Sequence, residues 1–141
     1  MKVLFFNHGK WGIKKVLLAK TIRQIKILFP KIKGAVHVIF VDDPTIHRLN
    51  LDYLKRDTPT DVLSFTYQDQ GLLGELYISI DTLKKQAKTY HQTLTDELSK
   101  IFVHGFLHLQ GFTHDKENDM RVMHETEDRI LDKVSCLKCS K

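Results

Sequence analysis

The chain reads as an α+β protein, a small sheet packed with helices. Three observations predict it. Four short apolar or alternating segments fall within the first 80 of the 141 residues, everything after Asp81 carries helical spacing, and no repeat or linker-like composition change divides the chain. Strands gathered early and helices gathered late favour a sheet covered by helices over an alternating array of strand-helix-strand units. The length suits one compact unit, so residues 1–141 are read as a single domain.

The elements follow in order. Lys2–Asn7 is a short apolar run and reads as a first strand. Between Ile13 and Phe29, Leu18, Ile22, Ile25 and Phe29 recur at helical spacing, with Lys15, Lys20, Arg23 and Lys26 at the charged positions. Trp11 reads as an amphipathic anchor where this helix begins, and Pro30 and Gly34 end it. Ala35–Val41 is β-branched and apolar, long enough for a buried strand and too short for a stable helix. Asp42 or Asp43 before Pro44 marks a helix start that leads through Ile46, Leu49, Asn50 and Tyr53.

A polar turn, KRDTPTD, follows. Val62–Tyr67 places Leu63, Phe65 and Tyr67 on one strand face, and Leu73–Ile80 places Leu76, Ile78 and Ile80 on one face of another. The intervening QDQG joins them as an antiparallel hairpin. Helices are then expected over about 81–90, 95–110 and 117–133, with Asp81 and Thr93 or Thr95 as caps.

Composition excludes several classes. With 42% hydrophobic and 28% charged residues and only 3 Pro, the chain can bury a core and is neither disordered nor fibrous. No run approaches a bilayer-spanning length, so no membrane association is expected, and the start reads as mature sequence. Two cysteines, Cys136 and Cys139, make no disulfide framework, which points to a reducing, cytoplasmic setting. Their spacing is that of half a zinc ribbon or a redox motif, without a second pair or a preceding strand; a frayed tail is the plainer reading.

Charge is segregated. The net +5 hides nine Lys or Arg and no acidic residue in positions 1–41, against 13 basic and 17 acidic residues, net −4, in the remainder. Clustered cations add their fields and release counterions on binding a polyanion. The basic stretch is therefore either a surface for a polyanion, with Lys14, Lys15, Lys20 and Arg23 at its centre, or a solvated helix face.

Three of the eight histidines, His104, His108 and His114, fall within HGFLHLQGFTH. His104 and His108, four apart, stand one turn apart on a helix face, where two imidazoles can grip one ion. Gly111 can end that helix in a left-handed turn and swing His114 back to the same ion. Three neutral nitrogens and an open fourth position describe a catalytic zinc site better than a closed structural one. The spacing matches the HExxHxxGxxH of metzincin proteases except that Gly105 stands where those enzymes carry the glutamate that deprotonates the metal-bound water.

Other residues read more plainly. Glu75, among apolar residues on a strand, is expected to cap or pair structurally before it serves a cleft. His124 reads as a helix-surface residue, Met120 and Met123 as core packing, and His8, His37, His47 and His91 are assigned no chemistry.

Three blocks together resemble the YbeY endoribonuclease family: HGFLHLQGFTH at 104–114, TPTDVLSF at Thr58–Phe65, and LGELYIS at Leu73–Ser79. The resemblance covers about residues 35–131. It implies a mixed four-stranded sheet packed with helices, and a metal-binding helix near the C-terminal half. It also implies one bound Zn2+ on His104, His108 and His114. The implied activity is a metal-dependent endoribonuclease on single-stranded RNA, acting in ribosomal RNA maturation at the small-subunit 3′ end and in ribosome quality control.

Two positions depart from the family pattern. Thr113 stands where the family usually has Asp, with Asp115 on the other side of the third histidine. Leu54 stands where the family commonly has Arg after the aromatic residue, leaving Lys55 and Arg56 as the nearest cations. Asp115 is accordingly the candidate for proton handling, or a helix cap. Arg56 is the candidate for holding the scissile phosphate, with Lys55 beside it, or a solvated turn residue. The competing functional readings are a ribosome-associated RNA-binding module stapled by structural zinc, and a metalloprotease, which Gly105 disfavours. The sequence leaves the oligomeric state open.

Overall fold

The computed structural model describes residues 1–7, 9–69 and 71–139; for Lys15, Leu17, Gln68, Asp69 and residues 135–139 it describes the backbone only. Four strands form one mixed sheet: β1 (Lys2–Phe6), β2 (Ala35–Val41), β3 (Val62–Asp69) and β4 (Leu72–Ser79), in the order β1-β2-β4-β3. β1 and β4 run parallel to β2, and β3 pairs antiparallel with β4, closing the expected hairpin.

Side chains alternate between the two faces of each strand. Val36, Val38 and Phe40 of β2 align with Leu76 and Ile78 of β4 on one face, all 1% exposed or less. Burying each such side chain is worth about 1.5–3 kcal/mol relative to exposure. This face receives α4 (Leu94–Leu109), the most buried helix, through Leu98, Phe102 and Phe106. α1 (Ala19–Leu28) and α5 (Glu117–Cys139) complete the layer with Ile25, Met123 and Ile130. On the opposite face α2 (Asp43–Leu54) seats Ile46 against Val41 and Leu63.

Two expectations about boundaries change. The helical pattern from Ile13 begins as a 3-10 turn at Lys15–Leu18 and becomes α-helix only at Ala19. The cap of α3 (Ile80–Thr89) is Ser79, whose hydroxyl accepts from the Thr82 amide, and not Asp81. Asp81 is drawn elsewhere: its Oδ2 accepts the Asp43 amide at 2.9 Å. In return the Asp43 carboxylate accepts from the Ser79 and Thr82 hydroxyls and from Lys85 Nζ, so the N-termini of α2 and α3 lock together. Asp42 caps α2 through the Thr45 amide and Thr93 caps α4 through the Asp96 amide, as the sequence predicts.

Two close approaches set the depth at which α4 sits. A β-carbon on Gly74 would lie 2.6 Å from the Phe65 carbonyl oxygen and from Leu109 Cδ2. One on Gly105 would lie 3.0 Å from Leu76 and 3.1 Å from Val62. The Gly105 carbonyl also accepts from the Ser64 hydroxyl at 3.2 Å, tying the helix to β3 one residue after His104.

Candidate metal centre

α4 carries His104 and His108 one turn apart, near its C-terminal end. The helix stops at Leu109, Gly111 takes a left-handed φ of 93°, and the Phe112 amide returns to the Leu107 carbonyl. This turn brings His114 back beside the other two. The three rings stack in a triangle with centroids 4.6, 5.1 and 6.0 Å apart. One nitrogen from each lies within 4.8 Å of the others. His104 and His108 are half-buried and His114 is exposed.

The tautomers follow from the outer partners. His104 Nδ1 lies 3.0 Å from Glu127 Oε1, and His108 Nδ1 lies 3.0 Å from the Phe112 carbonyl. Both partners accept only, so each Nδ1 carries the proton, and each ring in its neutral form presents a bare Nε2. Those two Nε2 atoms face one another at 3.1 Å. Two lone pairs at that distance repel unless a cation lies between them. Ligands 2.0–2.1 Å from a tetrahedral ion stand roughly 3.3 Å apart, so the pair fits a zinc-like ion. Burial, and then the neighbouring His104 and His114, hold His108 below the usual imidazole range, which keeps it neutral and available as a ligand.

The orienting carboxylate comes from α5. Glu127 lies four residues after Met123 and three before Ile130, both buried, and its own side chain is only 12% exposed. The sequence signal for it was a carboxylate set in an apolar helical stripe, which the histidine motif alone does not reveal. Thr113, which departs from the family pattern, donates its hydroxyl to Asp119 Oδ2 at 3.4 Å.

The remaining sequence candidates are not gathered in. Asp115 is exposed and lies two residues before the first residue of α5. Lys55 ends α2 in a left-handed conformation with φ 58°, its ammonium on the Asp52 carbonyl, and Arg56 follows in an exposed turn. No described hydrogen bond or ion pair joins Asp115, Lys55 or Arg56 to the histidines. Glu75 pairs structurally, accepting from the Tyr67 hydroxyl at 2.6 Å and pushing that phenol up to about 12. His124 is exposed; Met123 is core, but Met120 is 42% exposed. The backbone of α5 runs helical through Cys139, where a frayed tail was expected; the cysteine side chains lie outside the described residues, as does His8.

Known proteins resemble this chain over most of its length. Residues 10–135 match the family model described as Endoribonuclease YbeY. A protein of that name from Acholeplasma laidlawii is 37% identical over 139 residues, covering 96% of this chain and 98% of the relative. Another of the same name, from Geobacillus thermodenitrificans, is 38% identical over 128 residues, covering 81% and 82%. A solution structure of a Thermotoga maritima protein superposes with a TM-score of 0.66 at 27% identity, covering 94% of this chain and 88% of that one.

Proposed function

The chain belongs to the endoribonuclease YbeY family, and from that premise we propose that it is a single-domain, zinc-dependent endoribonuclease that cleaves single-stranded RNA in ribosomal RNA maturation. Its substrate would be ribosomal RNA at the small-subunit 3′ end, within a role in ribosome quality control. The observation that carries the reading is the pair of Nε2 atoms facing one another 3.1 Å apart, completed by His114.

His104, His108 and His114 would hold the ion through nitrogen, a donor set that suits zinc. When bound, such an ion polarises a phosphoryl oxygen and lowers the pKa of coordinated water toward ~7. The chain's own residues orient and position. Glu127 fixes the His104 tautomer, the Phe112 carbonyl fixes that of His108, and the β-sheet holds α4 at one depth through Gly105. Asp115 is the proposed proton carrier. Arg56, with Lys55, is the proposed phosphate clamp, carried on the exposed turn after α2.

Two features favour this over a zinc-stapled binding module. Among the described residues the metal-competent group has three members, and His114 is exposed, which suits an open coordination position. The protease reading loses further ground at Gly105, since a glutamate there would bring its β-carbon to 3.0 Å from Leu76 and 3.1 Å from Val62, and both side chains would have to give way. No helix of the described residues is long and apolar enough to cross a membrane, and a cytoplasmic setting is part of the proposal. Incubation with a labelled single-stranded RNA and its duplex form tests the reading. Cleavage of the single strand that a chelator stops is expected; chelator-resistant cleavage, or none with zinc restored, contradicts it.

A further inference from the structure

Behind the histidine triangle, between α3, α4 and α5, lies a cavity of about 400 Å³. His104 and Glu127 form part of its wall, and the rest is dominated by oxygen acceptors. Asp61, Glu97, Glu127 and Asp128 contribute four carboxylates against one ammonium, Lys100, on a chain whose overall charge is +5. Lys100 is also drawn toward the Tyr90 ring, its Nζ 5.0 Å from the centroid.

Glu97 is the unusual member. The residue is 1% exposed, yet its Oε2 has no hydrogen-bond partner. Gln86 repeats the pattern: its Nε2 donates to Asp61 Oδ2 at 3.3 Å while its buried Oε1 accepts nothing. Asp61 is held in place from its other oxygen, which accepts the Val62 amide at 2.7 Å. A buried carboxylate oxygen and a buried amide oxygen left without donors are costly to the fold. Burial, with Asp61 nearby, accordingly pushes the Glu97 carboxyl up, against the pull of Lys100.

We propose that this cavity binds a hard divalent cation of the magnesium or manganese type through Asp61, Gln86 and Glu97, at a site separate from the three histidines. The chemistry of the donors separates the two sites. Imidazole nitrogens select zinc-like ions, whereas carboxylate and amide oxygens select hard cations that keep part of their water shell. The cavity has room for such waters, which supply the donors that Gln86 Oε1 and Glu97 Oε2 otherwise lack. Four carboxylates repel a phosphate and attract a cation. The inference does not depend on what the histidine centre cleaves.

Manganese titration of the zinc-loaded protein, followed by the electron paramagnetic resonance of free Mn2+, tests it. One saturable Mn2+ per chain is expected, with Kd at or below ~1 mM and competition by Mg2+. Glu97→Gln should weaken it by about tenfold or more, and His108→Ala, titrated without zinc, should leave it unchanged. Gln86→Met, which keeps the volume and removes the unpartnered oxygen, should weaken it likewise and stands in if Glu97→Gln does not fold by circular dichroism. Absence of saturable binding, equal affinity in the folded Glu97 or Gln86 variant, or loss in His108→Ala would overturn the proposal.

Discussion

Glu127 offers the sharpest test of how the metal centre is built. Its carboxylate, 12% exposed, accepts from His104 Nδ1 at 3.0 Å, so the contact is poorly screened and charge-assisted. Glu127→Gln keeps the shape and leaves an amide oxygen to accept the same proton, but removes the charge. Hydrogen bonds to charged groups are worth about 1.5–3 kcal/mol and neutral ones about 0.5–1.5, a difference near 1.4 kcal/mol or tenfold in affinity. Glu127→Ala also frees the ring to rotate and should approach the ~100-fold end of the range for such outer partners. Competition for Zn2+ against a chromophoric chelator at fixed pH reads the affinity directly. Wild-type affinity in both variants would refute the claim that Glu127 orients His104.

Other predictions concern the scaffold and the charged surface. Gly74→Ala places a β-carbon 2.6 Å from the Phe65 carbonyl, which cannot yield as a flexible side chain would. Urea denaturation should therefore show a loss of about 3 kcal/mol, and no loss would mean that α4 is not held against β4 at that depth. Burial alone would raise the Asp43 carboxyl, but hydrogen bonds from Ser79, Thr82 and Lys85 outweigh it and hold the group below its ordinary value. A depressed carboxyl stabilises the fold above its unfolded value, near pH 4, and loses that contribution as pH falls through the folded value. Asp43→Asn should be less stable than wild type at pH 6, with the gap shrinking by pH 3; an equal gap at both would contradict this. Lys14, Lys20 and Arg23 are exposed. Replacing them by Gln should flatten the salt dependence of RNA binding by about 0.7 in log-log slope for each phosphate no longer neutralised, and an unchanged slope would make that face merely solvated.

The legible parts of the chain were those in which local pattern and tertiary role coincide. Ala35–Val41 is wholly apolar apart from His37 because it is central in the sheet, so its strand boundaries match the sequence reading. The histidines were legible because spacing on α4 and a left-handed Gly111 suffice to bring them together. Asp81 misled because any acidic residue at a helix start resembles a cap, while its actual partner, the Asp43 amide, is 38 residues away. Glu127 was missed for the same reason: its partnership with His104 spans 23 residues and depends on how α5 crosses α4. Glu97 and Gln86 were invisible because only packing reveals that their oxygens are buried without donors.

The central claim is that the histidine triangle holds the ion that cleaves RNA. Zinc content and single-stranded RNA cleavage, measured together in wild type and in His108→Ala, test it most directly. Removing one of the two facing Nε2 atoms should abolish zinc retention and cleavage together while circular dichroism stays native. A folded His108→Ala protein that still cleaves at the wild-type rate would contradict it.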